Sequence, residues 1–172
     1  MLGPLLGVLI GCGTASSPIR WARDQGGILH DQRQQRADSA LAMLTLPSGV
    51  SSIHVHVLDT GSVGAYAWPD AQIFVTRGLV DLLPQPELAA AIAHEAGHLL
   101  DGGHLGAPLS LHGRNSDPDA EIRADAIGVR LLSQRGIETH TMSAMLKKVA
   151  EAAAPGCRPS IRRRISALLI DR

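Results

Sequence analysis

Between Pro84 and Gly102 the apolar residues Leu88, Ala89, Ile92, Ala93, Ala96, Leu99 and Leu100 recur at helical spacing. The pattern predicts a helix introduced by Pro84 and Pro86 and stopped by Gly102 and Gly103. Upstream, Ile53, Val55 and Val57 alternate with His54 and His56. Period two means a strand with one buried face and both imidazoles on the other. "AQIFVTRG" reads as a second strand ended by Gly78, and a Gly-rich turn between the two suggests an antiparallel pair. Residues 18 to 45 carry Trp21, Ile28, Leu29, Ala37, Leu41 and Leu44 among Arg, Gln and Asp, a surface helix broken near Gly26-Gly27. After a polar loop over 102 to 117, Asp117-Pro118 leads into a helix with Ile122, Ala126, Val129 and Leu132 on one stripe, stopped by Gly136. Residues 140 to 153 and "PSIRRRISALL" give two more helices.

The chain has 172 residues, enough for one domain with a real core. Its 16 Lys and Arg balance 16 Asp and Glu, so no overall field favours nucleic acid or anionic lipid. With four aromatics (Trp21, Tyr66, Trp68, Phe74), the core must be built from Ala, Leu, Ile and Val. Residues 1 to 11 are apolar and uncharged, too short to span a bilayer and suited to the hydrophobic region of a signal peptide. Leu9-Ile10-Gly11-Cys12 resembles a bacterial lipobox, with Cys12 as the lipidated residue, 12 to 20 as a tether and 21 to 172 as the folded domain. That implies a cell-envelope protein anchored to a membrane and facing the periplasm. The alternative is an apolar N-terminal helix packed on the core. Cys157 is an unpaired thiol if Cys12 carries lipid; if Cys12 is free, a disulfide between the two becomes possible in an oxidising compartment.

The helix over 85 to 100 carries "HEAGH". Residues four apart share a helix face, so His94 and His98 direct two imidazoles to one point, as two corners of a tetrahedral zinc site require. Glu95 is turned away by about 100°, near enough to reach a water on the metal and accept its proton. A catalytic zinc needs a third protein ligand. Glu121 on a later helix is the candidate, with Asp125 one turn on to orient a ligating histidine. The bland alternatives are histidines on a polar helix face and a solvated acidic first turn.

Taken together, "LAAAIAHEAGHLL" and "DAEIRADAIGVRLL" resemble the HtpX and CAAX-prenyl-protease family of zinc endopeptidases, gluzincins with HExxH followed by E-x-x-x-D. "AYAWPDAQIFVTRGLVDLL" and "RPSIRRRISAL" resemble further blocks of that family, and the likeness covers residues 50 to 170. The chain is also similar to the family's small cell-envelope lipoproteins. It departs from the family at Gly64, at Asp70-Ala71 and at Arg158, where the family carries Asn, a two-glycine turn and His. The resemblance implies an α+β fold: a mainly helical zincin-type metallopeptidase domain with a small antiparallel sheet beside the zinc helix. It implies one zinc held by His94, His98 and Glu121, with Glu95 as base and Arg164 holding the cleft or stabilising the oxyanion. A loop histidine, His104 or His112, would cap the metal in a latent state.

The expected activity is zinc-dependent cleavage of unfolded or misassembled envelope proteins. The alternative is a chaperone-like or binding lipoprotein with a structural or capped zinc site. An extended substrate would pair with residues 72 to 77 as an edge strand. The cleft would then include Trp68, Gln72, Ile73, Phe74, Val75 and Thr76, with Tyr66, Trp68 and Phe74 either lining it or serving as core.

Overall fold

In the computed structural model, residues 17–48, 52–68, 70–102, 109–110 and 117–170 are described. The elements are α1 (Pro18–Asp24), α2 (Gln32–Leu41), β1 (His54–Leu58), β2 (Ala65–Trp68), β3 (Gln72–Thr76), α3 (Arg77–Leu82) and α4 (Gln85–Leu100), then β4 (Leu109–Ser110), α5 (Pro118–Ser133), α6 (His140–Ala152) and α7 (Arg158–Ile170). This is an α+β domain, mainly helical, with one small sheet. Side chains set the boundaries where the sequence supplies caps: Ser17, Asp31, Thr76 and Asp117 each accept a backbone N–H from the first turn of the helix that follows.

The sheet order is β1-β3-β2-β4. β1 and β3 run parallel, His54 opposite Gln72 through Leu58 opposite Thr76, which corrects the expected antiparallel pairing. The physical reason is β2: residues 65–68 are a strand, antiparallel to β3, and two reversals of direction between β1 and β3 restore the original one. β3 is therefore an interior strand. Ile73, Phe74, Val75 and Thr76 are all fully buried, as a strand covered on both faces must be.

The two sheet faces pack differently. Val55, Val57, Ala65, Ile73 and Val75 join the main core with Leu79, Leu88 and Ile92. On the other face, Trp68, Phe74 and Leu58 pack with Ala22 of α1, and Trp21 contacts Tyr66, Trp68 and Phe74 at ring-centroid distances of 5.2 to 5.4 Å. All four aromatics of the chain thus form one cluster beneath α1.

Central to the domain is α4, buried without interruption from Leu88 to His98 and touching α2, α5, α6, β2 and β3. The buried face of α5 is Ala120, Glu121, Ala124, Asp125, Gly128, Leu131 and Leu132, whereas the predicted stripe residues Ile122, Ala126 and Val129 are only half-buried. Small residues prevail because α4 and α5 nearly touch. A methyl on Gly97 of α4 would stand 2.4 Å from the Ala124 carbonyl oxygen, and one on Gly128 of α5 would stand 3.0 Å from the Ala93 carbonyl carbon.

Gly97→Ala should therefore force the two helices apart and destabilise the metal-free protein by about 1–3 kcal/mol. Urea unfolding in the presence of a chelator measures this, and an unchanged midpoint would remove the close contact as a constraint.

Candidate metal centre

The α4–α5 contact decides which side chains meet. His94 follows Ala93 and His98 follows Gly97; Glu121 follows Ala120 and Asp125 follows Ala124. One residue along a helix is a turn of about 100°, so each functional side chain leaves its helix beside the contact line. All four are buried. His98 Nε2 lies 3.2 Å from His94 Nε2. Glu121 reaches both rings, Oε2 being 3.4 Å from His94 Nε2 and Oε1 3.5 Å from His98 Nε2. Among the described residues, this is the one group of three such side chains whose ligand atoms lie within 4.8 Å of one another.

The surroundings hold these groups in place. His94 Nδ1–H donates to Asp125 Oδ1 at 2.9 Å, which directs the lone pair of the neutral ring onto Nε2. Arg164, from α7, is buried behind the ligands. Its Nε donates to Asp125 Oδ2 at 2.8 Å and its Nη2 to Asp125 Oδ1 at 2.7 Å, a planar fork on a carboxylate. Nη1 lies 2.9 Å from Glu121 Oε2. Arg164 thus grips the third candidate ligand and the orienting carboxylate together. These contacts set its guanidinium against the carboxylates of the centre.

The donor set fits zinc, which takes imidazole nitrogen and carboxylate oxygen. So does the hydrogen-bond account: both oxygens of Glu95 are buried without a hydrogen-bond partner among the described residues, while those of Glu121 face the two imidazoles and Arg164. Buried polar atoms are rarely left so, and a cation beside them resolves the deficit.

Burial and neighbouring charge shift every group here. For Glu95, burial is the main cause and the Glu121 charge adds to it, against His94 and Arg164, and its carboxyl is pushed up to about 8. Burial and Arg164 work against a charged His94, yet Asp125 and Glu121 outweigh them and raise it to about 9. Burial would raise Asp125, but Arg164 and His94 hold it at about 2. Against the same burial, hydrogen bonds from His94 and His98 hold Glu121 well below the usual carboxylate range. Burial lowers His98. Tyr66 is raised by burial and by the Glu95 charge.

Not every predicted residue joins the site. His94, Glu95, His98, Glu121, Asp125 and Arg164 come together. Residues Gln72, Ile73, Phe74, Val75 and Thr76 cannot form an edge for substrate, because β3 is paired on both sides. Trp68 is 5% exposed inside the aromatic cluster, and so is core. Thr76 exchanges hydrogen bonds with the Gly64 backbone and caps α3. His56 contacts Gln72 and Phe74 on the outer face. Cys12, His104 and His112 lie outside the described residues. The strand beside the candidate base is β2, whose Ala67 amide lies near Glu95. Sequence reading missed it because "AYAW" has no polar position to reveal a period of two.

The sequence profile of peptidase family M48 matches residues 30–116, half of the chain. The chain belongs to peptidase family M48. No curated protein matches it. M48 membership makes the chain a metallopeptidase of a zinc-dependent family. The matched M48 stretch includes His94, Glu95 and His98 and ends before Glu121, Asp125 and Arg164, which the fold brings to the same place.

Asp125→Asn should weaken zinc binding about 10–100-fold, because it disturbs the ring orientation of His94; chelator competition measures it, and unchanged affinity would remove Asp125 from the site's design. Glu95 gives a second expectation. Its carboxyl is raised from 4.5 to about 8 in the folded, metal-free protein, so the unfolded chain loses its proton first and stability falls as pH rises across that window. In Glu95→Gln the loss is absent. Thermal midpoints of metal-free protein should show the variant's advantage growing from pH 4.5 to pH 8, and a constant gap would contradict the burial argument.

Proposed function

We propose that the chain is a zinc-dependent endopeptidase that cleaves unfolded or misassembled proteins of the bacterial cell envelope. The observation that carries this reading is the convergence of His94, His98 and Glu121 beside a buried carboxylate, Glu95, with no hydrogen-bond partner of its own among the described residues. A structural metal site has no use for such a carboxylate. His94, His98 and Glu121 would hold the ion. Bound there, zinc supplies Lewis-acid polarisation of the scissile carbonyl and acidifies a water.

The remaining work falls to the protein. Glu95 accepts the proton of the attacking water and delivers it to the leaving amine nitrogen, a task suited to a carboxyl raised toward neutral pH. Asp125 fixes the His94 ring, and Arg164 fixes Asp125 and Glu121. An extended polypeptide is the substrate class, and β2 is the strand on the Glu95 side of the sheet. Among the described residues, its outer ladder pairs with β4 at Tyr66 and Ala67. Envelope placement rests on the apolar segment before Cys12 and its lipobox-like Leu9-Ile10-Gly11-Cys12.

Zinc-loaded protein should cleave casein, an unfolded substrate, and Glu95→Gln should lower the rate by roughly 10²–10⁴-fold while one zinc per chain is retained. Equal cleavage by the variant, or none by the wild type with zinc bound, would overturn the reading.

A further inference from the structure

Zero net charge conceals a local asymmetry. Residues 140 to 170 contain Lys147, Lys148, Arg158, Arg162, Arg163 and Arg164 against a single acid, Glu151. Three of these cations are committed elsewhere: Lys148 to Glu87, Arg163 to Asp119, and Arg164 to the metal centre. The other three, Lys147, Arg158 and Arg162, line one groove of about 340 Å³ between α6 and α7, together with Ala150, Glu151 and Ile165. Arg158 makes only a 3.5 Å contact to the Glu151 carbonyl oxygen. The side chains of Lys147 and Arg162 have no hydrogen bond or ion pair among the described residues.

Beyond the groove, α7 ends on apolar residues. Arg158, Arg162, Ile165 and Leu169 are spaced four, three and four apart, so they form one stripe along α7. Leu169 is 57% exposed, the most exposed large hydrophobic among the described residues. A stripe that passes from two arginines through a half-buried isoleucine to an exposed leucine is amphipathic along its length. It matches an anionic headgroup followed by acyl chain, the composition of a bilayer interface.

We propose that the α6–α7 groove is a docking site for anionic phospholipid, with Lys147, Arg158 and Arg162 on the headgroup phosphate and Leu169 in the acyl boundary. A soluble phosphate would use the three cations and ignore Leu169; a bilayer uses both. Arg164 leaves the same helix on a different face, toward Glu121 and Asp125, and takes no part in the groove.

Zinc-loaded full chain is floated with phosphatidylcholine vesicles with and without phosphatidylglycerol. Binding should be stronger with phosphatidylglycerol and weaken with salt. Each basic residue near an anionic surface contributes about five-fold, so Arg158→Ser with Arg162→Ser should lose roughly 25-fold on phosphatidylglycerol and nothing on phosphatidylcholine. Leu169→Ser should weaken vesicle binding but leave glycerol phosphate binding unchanged. The control pair Arg130→Ser with Arg135→Ser, exposed on another part of the surface, should bind like wild type. Unchanged thermal midpoint and zinc content show that the variants fold. The proposal is overturned if the Arg158/Arg162 variant keeps its phosphatidylglycerol binding, if the control pair loses as much, or if glycerol phosphate binds while vesicles do not.

Discussion

The approach of α4 to α5 is the constraint on which the rest depends. Gly97 against Ala124 and Gly128 against Ala93 bring two backbones into contact where side chains would ordinarily separate them. Every group of the candidate centre is placed relative to that contact: each histidine is the next residue after a contact residue on α4, and Asp125 is the next after Ala124 on α5. The imidazoles and carboxylates therefore converge because the helices touch, and any change that widens the crossing moves both ligand pairs at once. The same contact explains why α4 is apolar on every other side. It must bury itself against the sheet, α2 and α6 to hold its position.

Charge balance is the second requirement, since these groups have left water. In the metal-free centre the shifts run toward ionised Glu121 and Asp125, a protonated His94 and a neutral Glu95 beside a positive Arg164, an arrangement in which two negative charges meet two positive ones. A divalent cation held by a neutral His94, with Glu95 ionised, would give three negative charges against three positive. Neutrality would then be kept by exchanging two protons for the ion. Buried charges are tolerated only when paired in this way, and the bidentate hold of Arg164 on Asp125 is the pair common to both states.

Where sequence periodicity was strong, the fold was legible: α4, α6, α7 and the break between α1 and α2 all follow from apolar spacing and glycine. It failed at α5 for an instructive reason. The buried face there carries Glu121, Asp125, two alanines and a glycine before Leu131 and Leu132, so of the apolar stripe read from the sequence Leu132 is buried while Ile122, Ala126 and Val129 are half-buried. The helix is apolar where it needs no ligands and polar where it supplies them. β2 escaped because Tyr66 and Trp68 face an aromatic cluster while Ala65 faces the main core, leaving both faces apolar. With β2 unseen, β3 was taken for an edge, though its unbroken "IFV" is the mark of an interior strand.

Arg164 was legible as a residue and not as a role. On α7 it shares a stripe with Ile161 and Leu168, the first fully buried and the second half-buried. A permanently charged side chain on an apolar stripe has to meet buried acids, and α5 supplies two of them one turn apart, Glu121 and Asp125. That reasoning assigns Arg164 to Asp125 and Glu121 without any appeal to substrate. It also fixes the rotation of α7 about its axis. Once Arg164 points inward, Arg158, Arg162 and Ile165 are turned toward the α6 side, and the basic groove follows from the same ion pair that braces the metal centre.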